Sequence, residues 1–332
     1  MNLLKNNEIS KNKWDLLFLK NNFSSPYQSY SFYNLFNSIS GLSADVFAIE
    51  EAFQIKALCV VTIQKEPGIL GFFSRRAIIY GGPIVEPNCE LFLDYLLTSI
   101  NVEIKKKVIY SEIRNLNDYT VFKEIFKKNS WDYLPYQNFI IDCSDKDLVL
   151  RKLSNNRIRQ IRKAISNGVK LKVAENLSEV REFYAILKDL YTFKIKKPLL
   201  PRIFFEEFFN RNIGKYLLVV FQDSVIGGIM CPIIEGRCIY EYYVAGLDDE
   251  YRDLFPSVMA TWSAIDYANK NKIPLFDFMG AGNKEETYGV RDFKARFGGK
   301  QIEYGRFLKI NNLFLYKLGN LGLKILKLLK KR

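Results

Sequence analysis

Apolar and β-branched residues occur along the chain in short runs separated by turn residues, and the order of these runs occurs twice. In the first half, three strand-like runs precede a helix-like stretch and a further strand: ADVFAIEE, IKALCVVTIQ, AIIYGGPIV, CELFLDYLLTSINVEIKKK and VIYSEIRN. The second half repeats this order with KYLLVVFQD, SVIGGIMCPII, RCIYEYYVAG, FPSVMATWSAIDYANKNK and PLFDFMGAG. The repeat predicts two copies of one α/β unit of roughly 150 residues each.

A helix is predicted at the start of the second copy by the segment SNNRIRQIRKAISNG. Ile158, Ile161 and Ile165 follow helical spacing on one face, and Asn155 or Asn156 can cap the start. Four basic side chains then lie away from the isoleucine stripe: Arg157, Arg159, Arg162 and Lys163. Such a face is either a solvated surface or a contact for phosphate or RNA, because it attracts a polyanion.

The net charge of +13, from 49 basic and 36 acidic residues, is concentrated in two segments. Residues 151–172 and residues 306–332 each contain eight basic residues and no acidic one, and the rest of the chain is slightly acidic. This concentration indicates anionic partners at two places. The second segment includes NNLFLYKLGNLGLKILKLLKKR, which predicts a basic amphipathic helix. It suits either an anionic membrane surface or docking of its leucine face on the first domain.

The chain of 332 residues has no histidine, which excludes histidine relays, histidine general bases and histidine metal ligands. Its five cysteines are odd in number and never form a CxxC pair, so we expect free thiols and no metal site. The N-terminal MNLLKNNEISKNKW lacks the apolar segment of a signal peptide. No stretch of the chain reaches the about 18 uncharged apolar residues that a transmembrane helix needs. We therefore expect a cytoplasmic protein without a bound cofactor, with peripheral contact to the inner face of the membrane left open.

A mostly antiparallel sheet that ends in strand–helix–strand is similar to the GNAT acyltransferase fold. We therefore expect an α/β (α+β) protein of two tandem GNAT-like, acyl-CoA N-acyltransferase-like domains with a C-terminal helix. The expected boundaries are 1–150 for the first domain, 151–305 for the second and 306–332 for the helix, which packs back on the first domain.

The loop before the central helix of the second copy is unlike the glycine-rich loop of acetyltransferases with this fold. In those proteins, backbone amides at the helix N-terminus hold the pyrophosphate of coenzyme A. Here the loop reads GLDDEYRDLFPS and contains four acids: Asp248, Asp249, Glu250 and Asp253. These acids would repel a pyrophosphate, so ordinary coenzyme A binding is disfavoured in this copy.

Four segments resemble the FemABX family of peptidoglycan-bridge aminoacyltransferases and the wider FemAB-like group associated with surface polysaccharides. They are SPYQSYSFYNLF, KLSNNRIRQIRKAISNGV, AGLDDEYRDLFPSVMATWSAIDYA and FDFMGAGNKEETYGVRDFKARFGG. The last is the most specific, because Asp-Phe-x-Gly at a strand end is followed by Gly-x-x-x-Phe-Lys-x-x-Phe-Gly. The resemblance implies a transferase that moves an acyl or aminoacyl group to an amine on a nucleotide- or lipid-linked sugar or peptidoglycan precursor. Its donor would be an aminoacyl-tRNA or an acyl-CoA.

The resemblance places Phe293 and Lys294 at the reaction centre, with Lys294 stabilising the tetrahedral oxyanion. The alternative for Lys294 is a surface lysine beside the core residues Phe293 and Phe297. Asp277 is expected to hold the turn after its strand or to accept a proton. The helix predicted for SNNRIRQIRKAISNG would contact the donor or tRNA through the four basic residues named above.

Basic residues near the middle of the second domain are expected to bind substrate phosphates. The candidates in TFKIKKPLLPRIFFEEFF are Lys194, Lys196, Lys197 and Arg202, and the alternative is a solvated loop. Arg114, at the end of a first-domain strand, faces the cleft or forms an ion pair with Glu112 or Asp118.

Two departures separate the chain from the dedicated bridge enzymes. Phe32 and Phe36 stand where those enzymes have a tryptophan and a phosphate-binding lysine, and EIRNLND replaces an acidic motif that contains proline. Both departures leave open an acyl-CoA-dependent N-acyltransferase acting on a polysaccharide sugar. A non-catalytic module that binds an anionic glycolipid is a third alternative.

Overall fold

The structure, a computed structural model, describes residues 1–66, 68, 70–87, 89–283 and 289–329. Residues 284–288 of the C-terminal motif and the basic residues 330–332 lie outside these ranges.

The strands are β1 (Asn2–Lys5), β2 (Ser43–Glu51), β3 (Gln54–Gln64), β4 (Arg76–Gly81), β5 (Ile84–Val85), β6 (Tyr110–Asn115), β7 (Asp132–Leu134), β8 (Asn138–Asp142), β9 (Lys170–Val173), β10 (Gly214–Phe221), β11 (Ser224–Ile234), β12 (Cys238–Tyr240), β13 (Tyr243–Gly246), β14 (Leu275–Asp277), β15 (Lys300–Ile302) and β16 (Arg306–Ile310). The α-helices are α1 (Lys11–Lys20), α2 (Tyr30–Asn37), α3 (Leu70–Ser74), α4 (Glu90–Ile104), α5 (Lys123–Lys128), α6 (Lys146–Lys152), α7 (Asn155–Ser166), α8 (Leu177–Asp189), α9 (Arg202–Asn210), α10 (Pro256–Lys270), α11 (Gly289–Ala295) and α12 (Leu313–Leu329).

The chain forms two compact units, each built on its own mixed sheet. The first unit is Met1–Pro135 with Tyr304–Arg332, and the second is Tyr136–Glu303. The strand order is β1-β2-β3-β4-β6-β16-β7 in the first sheet and β15-β8-β14-β12-β11-β10-β9 in the second. In both, antiparallel strands lead to a strand–helix–strand crossover whose two strands are parallel, β4 with β6 and β12 with β14. The predicted repeat of elements is confirmed.

The strand before each crossover helix, expected to be continuous, is divided in both units. β12 pairs with β14, whereas β13 returns to β11; in the first unit β4 pairs with β6, whereas β5 returns to β3. In the first unit the break contains Gly81 and Gly82 with φ of 82° and 80°, a region that favours glycine. The alternation of side chains does not reveal that a strand changes partners, so the sequence predicted no break.

Each crossover helix covers one face of its sheet and forms the centre of a core. In the first unit α4 buries Leu93 and Leu97, and the ring of Phe307 stacks on that of Phe126 with centroids 3.9 Å apart. In the second unit α10 buries Met259 and Trp262. Apolar residues recur over several turns of both helices, which explains why they form at the expected places.

Two segments belong to units other than those to which the sequence boundaries assign them. Residues 136–150 lie in the second unit, because β8 pairs with both β14 and β15. Residues 304–332 lie in the first unit, because β16 pairs with both β6 and β7. The C-terminal helix accordingly begins at Leu313 rather than at residue 306. The preceding residues form a strand because Phe307 enters the core and Arg306 forms a 2.5 Å ion pair with Glu112.

In the described ranges, no helix combines the length and apolar character that crossing a bilayer requires. The same ranges contain no cluster of three or more cysteine or carboxylate side chains arranged to hold a metal ion. The five cysteines are free thiols. Burial raises the pKa of Cys143 to about 12 and raises that of Cys231 well above its usual value, which makes both poor nucleophiles at neutral pH.

Candidate active site

Helix α11 places Lys294 in the interior of the second unit, where its ammonium contacts three oxygen atoms. Nζ donates to the carbonyl oxygens of Phe278 and Gly280, each at 2.8 Å, and lies 2.9 Å from Oε1 of Glu241. An ammonium carries three hydrogens, so this set of partners uses all of them. The side chain is only 10% exposed, which excludes the alternative of a surface lysine.

Glu241 is the carboxylate partner of Lys294, and the sequence analysis missed it. It follows β12 at the break in the divided strand, its side chain is 5% exposed, and Oε2 accepts a long hydrogen bond of 3.5 Å from the Thr261 hydroxyl. Burial raises the pKa of Glu241, and the ammonium of Lys294 opposes that rise. The available signal was a single acid inside the apolar run RCIYEYYVAG, since buried carboxylates are rare unless they are paired.

Asp277 ends β14 and holds the turn that follows. Its Oδ1 accepts hydrogen bonds from the backbone N–H of Met279 at 2.6 Å and from Nδ2 of Asn138 at 2.8 Å. Burial raises the pKa of Asp277 to about 6, while these two hydrogen bonds and the charge of Lys294 act in the opposite direction. Asn138 also accepts from the N–H of Gly280 at 2.7 Å, so both polar side chains fix the segment 278–280. Proton acceptance by Asp277 stays a prediction.

The Phe-Lys motif is joined to helix α7 through Arg157, which is buried rather than part of the exposed basic face. Its guanidinium lies 4.3 Å from the ring centroid of Phe293 and 4.8 Å from that of Phe297, and Nη2 donates to the Phe293 carbonyl at 3.2 Å. Burial and the nearby Arg296 lower the pKa of Arg157 to about 10. The expectation that Arg157 lies on the exposed face was therefore wrong, because its stem and guanidinium fill the space beside two phenylalanine rings.

The other basic residues predicted on α7 are exposed: Arg159, Arg162 and Lys163. They line an open depression on this helix together with Asn155, Ile158 and Ser166. Lys163 Nζ is 2.6 Å from Oδ1 of Asp253, a member of the acidic loop. The helix is capped by the Ser154 hydroxyl, which accepts from the N–H of Arg157, so neither of the two expected asparagines is the cap.

The acidic loop places a carboxylate at the N-terminus of the crossover helix α10. Asp248 Oδ1 accepts from the backbone N–H of Ser257 at 3.0 Å, and Oδ2 accepts from the Ser257 hydroxyl. Gly246 allows this close approach, since a Cβ there would lie 2.5 Å from the Ser257 nitrogen. The position where a pyrophosphate would meet the helix N-terminus is thus taken by a carboxylate of the protein.

The four basic residues predicted to bind phosphate are exposed, and two of them form ion pairs with acidic residues of the same unit. Lys194 lies in the π-helical turn Leu190–Ile195 and forms a 2.5 Å ion pair with Asp249. Arg202, the first residue of α9, lies 3.2 Å from Oε1 of Glu206. Lys196 and Lys197 are exposed between these two elements, and Lys196 has a φ of 54° that ends the π-helical turn.

Arg114 lies in the first unit at the end of β6, where it adopts the ion-pair alternative. Its Nη2 is 3.3 Å from Oε2 of Glu112, and its guanidinium lies 5.4 Å from the ring centroid of Tyr80. Glu112 contacts Arg306 on its other oxygen at 2.5 Å. Burial would raise the pKa of Glu112, but the two guanidinium groups outweigh this effect and lower it. Arg114 is therefore part of a local charge network.

The N-terminal motif has a structural function in the first unit. The Gln28 side chain bridges β3 and β4. Its Nε2 donates to the carbonyls of Val60 at 3.2 Å and Tyr80 at 2.8 Å, and its Oε1 accepts from the N–H of Val60 at 2.7 Å. Phe32 and Phe36 are fully buried, with ring centroids 5.1 Å apart. The two departures from the bridge enzymes are thus core residues, and neither position offers a charge to a substrate.

A model of the FemAB family matches residues 228–324, a range that contains Glu241, Asp277 and Lys294. No curated protein sequence gives a significant match.

Several solved structures share the fold over most of this chain. One is FemX, with 15% identity, coverage of 96% of this chain and 99% of FemX, and a TM-score of 0.72. L-PGS from Bacillus licheniformis has 10% identity, coverage of 94% and 96%, and a TM-score of 0.58. A tandem GNAT protein from the clavulanic acid biosynthesis pathway has 8% identity, coverage of 94% and 99%, and a TM-score of 0.55. At these identities the likeness establishes the fold, and the expectation of two tandem GNAT-like domains is confirmed.

Proposed function

We propose that this chain, a FemAB-like transferase with two GNAT-like domains, transfers an activated acyl or aminoacyl group in bacterial cell-envelope synthesis. The acceptor would be an amine on a nucleotide- or lipid-linked sugar or peptidoglycan precursor. The FemAB family match over residues 228–324 and the likeness to FemX and L-PGS support this class of reaction. The resemblance of the Phe293-Lys294 motif supports the location of the reaction centre.

The observation that carries the proposal is the buried ammonium of Lys294 beside the break in the divided strand. In the proposed reaction, the acceptor nitrogen forms a C–N bond with the donor carbonyl carbon, and the carbonyl oxygen becomes an oxyanion. Collapse of this intermediate breaks the bond to the leaving oxygen or sulfur, and the amine proton passes to that group or to water. Lys294 would exchange its bond to Gly280 or Phe278 for one to the oxyanion. A charged donor in a water-excluded site stabilises such an intermediate by several kcal/mol.

Glu241 and Arg157 support this role without contacting the reacting atoms. The carboxylate of Glu241 balances the buried charge of Lys294 at 2.9 Å. Arg157 fixes the backbone one residue before Lys294 through its bond to the Phe293 carbonyl. In the proposed site both are positioning residues, and Phe293 is the packing residue that aligns Lys294.

Aminoacyl-tRNA is the proposed donor for the second unit. Asp248 accepts the Ser257 amide at the N-terminus of α10, and its negative charge opposes a pyrophosphate at that point. The exposed residues Arg159 and Arg162 offer positive charge for a nucleic-acid backbone. Lys196 and Lys197 are the proposed contacts for acceptor phosphate, with Arg114, Lys194 and Arg202 as further candidates that each already have an acidic partner.

A second candidate is an acyl-CoA-dependent N-acyltransferase that modifies a sugar of a surface polysaccharide. The burial of Phe32 and Phe36 favours it, because the position of the phosphate-binding lysine of the bridge enzymes is occupied by the core. The two candidates differ in donor and can be separated directly.

The test is transfer from a panel of aminoacyl-tRNAs and acyl-CoAs to nucleotide-linked and lipid-linked sugar acceptors, with the product identified by mass. We expect aminoacyl-tRNA to be consumed, and Lys294→Ala to reduce turnover at least about 100-fold. The matched control is Lys300→Ala, an exposed lysine of β15, which should leave turnover unchanged. Consumption of acyl-CoA alone would favour the second candidate. If no donor is consumed, the proposed function fails, and that result would favour the alternative of a non-catalytic module that binds an anionic glycolipid.

A further inference from the structure

Helix α12 leaves an apolar side exposed on the first unit. Phe314 is 75% exposed, Leu318 41% and Leu321 54%. Other positions of the helix make its contacts with the unit: the Tyr316 ring packs on Tyr110 with centroids 5.3 Å apart, and the backbone of Gly319 approaches α3. Over the described side chains, the leucine face that could have docked on the first domain is thus about half exposed.

Helix α3 packs against α12 and adds exposed aromatic side chains to the same part of the unit. Phe72 is 52% exposed and Phe73 is 40% exposed. The guanidinium of Arg75 lies 4.9 Å from the ring centroid of Phe72. Aromatic rings beside basic side chains are typical of surfaces that meet a membrane interface, where rings lie at headgroup depth and cations contact phosphates.

The charge of this region selects the partner. Lys317 is exposed beside the apolar side chains, and residues 306–332 contain eight basic residues and no acidic one. A second copy of the chain would bring two such segments together, and like charges oppose that contact. An anionic bilayer offers both an apolar interior and negative charge.

We infer that α3 and α12 form a membrane-binding surface for anionic lipid, in which Phe72, Phe73, Phe314, Leu318 and Leu321 enter the interfacial layer. Lys317 and Arg75 contact lipid phosphates at its edge. The inference uses the first unit alone and is independent of Lys294, so it stands or falls separately from the proposed transfer reaction.

The experiment is flotation of the full chain with vesicles of phosphatidylcholine alone and of phosphatidylcholine mixed with an equal part of phosphatidylglycerol. We expect binding to the mixed vesicles only, weakened when the salt is raised from about 0.1 M to about 1 M. Phe314→Ser and Phe72→Ser should each weaken binding about tenfold, since each removes one buried phenyl group from the bound state. Lys317→Glu should weaken binding by at least about tenfold through charge alone.

The matched control is Phe53→Ser, because Phe53 is 85% exposed at the turn between β2 and β3 of the same unit. This variant should bind like the parent. Absence of binding to the mixed vesicles, or equal losses in the Phe53 and Phe314 variants, would overturn the inference. A concentration-dependent dimer that Phe314→Ser dissociates would overturn it in favour of a second copy. If a phenylalanine variant loses its cooperative melting transition, Lys317→Glu decides the question, because that side chain is exposed.

Discussion

The guanidinium of Arg157 lies 4.3 Å from the ring centroid of Phe293 and donates a hydrogen bond to the Phe293 carbonyl at 3.2 Å. This contact joins the basic helix α7 to the helix that carries Lys294, across 136 positions of sequence. Two motifs that the sequence presents as separate, a basic face and a Phe-Lys pair, are therefore parts of one packed structure. The backbone immediately before Lys294 is thus held by a side chain from a different helix.

Arg157→Lys should lower the free energy of unfolding by about 2 kcal/mol, because lysine keeps the charge but loses the planar contact with two rings and the bond to the Phe293 carbonyl. Chemical denaturation measures this loss. The control is Arg159→Lys, an exposed position on the same helix, where a change within about 0.5 kcal/mol is expected. Equal effects at the two positions would contradict the assignment of Arg157 as a buried positioning residue.

Lys294 and Glu241 should behave as a coupled pair in a double-mutant cycle. Lys294→Met leaves a carboxylate that is 5% exposed without its 2.9 Å partner, and we expect a loss of roughly 3–5 kcal/mol in the free energy of unfolding. The double variant Lys294→Met/Glu241→Gln should recover about 1–3 kcal/mol of the summed losses, measured by denaturation at neutral pH.

The same cycle separates folding from catalysis. If Lys294 stabilises the oxyanion, transfer activity should stay absent in the double variant even though its stability is partly restored. Recovery of transfer together with stability would show that Lys294 acts only through the fold. Additive stability losses, in contrast, would mean that the two charges do not interact.

Asp277 gives a prediction for the pH dependence of stability. Burial raises its pKa to about 6 in the folded protein, whereas an aspartate in an unfolded chain titrates near about 3.9. The folded state therefore holds this proton more tightly, so the stabilisation that is present below about pH 4 is lost as the pH rises through about 6. The full difference amounts to about 3 kcal/mol.

The measurement compares the parent with Asp277→Asn, whose amide oxygen can accept the bonds from Met279 and Asn138 without titrating. From about pH 4 to about pH 7 the parent should lose about 2 kcal/mol relative to the variant, because the unfolded carboxyl is already about half ionised at pH 4. Asp142 is a control whose pH dependence has the opposite sign. Hydrogen bonds from Ser144 lower its pKa, so its contribution to stability is lost as the pH falls rather than as it rises. A parent–variant difference that is constant over this range would contradict the raised pKa of Asp277.

In both units the sequence predicted the antiparallel strands, the crossover helix and the strand after it, because these elements have a clear period of apolar residues. It did not predict which face of α7 is buried. The isoleucine stripe suggested Ile158, Ile161 and Ile165, whereas the buried positions are Arg157, Ile161 and Ala164, and Ile165 is 53% exposed. The buried set has helical spacing as good as that of the isoleucines. What buries it is the contact of Arg157 with the rings of Phe293 and Phe297, which lie far away in the sequence.

The candidate site was predictable where a motif marks it and not where tertiary pairing creates it. Lys294 and Asp277 were found through the C-terminal motif. Glu241 was not, because its partner lies 53 positions further along the chain. Similarly, the acidic loop looked purely repulsive, whereas Asp248 caps α10 and Asp249 pairs with Lys194. A count of the charges along a segment does not show which of its charged residues pair with others in the folded protein.

Binding of RNA to α7 should depend on its exposed arginines. The double variant Arg159→Gln/Arg162→Gln removes two of the exposed charges, and it should reduce the magnitude of the slope of log affinity against log salt by about 1.5 for an aminoacyl-tRNA. The free energy of unfolding should change by no more than about 0.5 kcal/mol, because both side chains are exposed. Filter binding over a salt series measures the slope, and Lys300→Gln on β15 is the matched control with an expected slope equal to that of the parent. Lys163 is left out of the variant because its ammonium already pairs with Asp253 at 2.6 Å. An unchanged slope in the double variant would place the nucleic-acid contact elsewhere than α7.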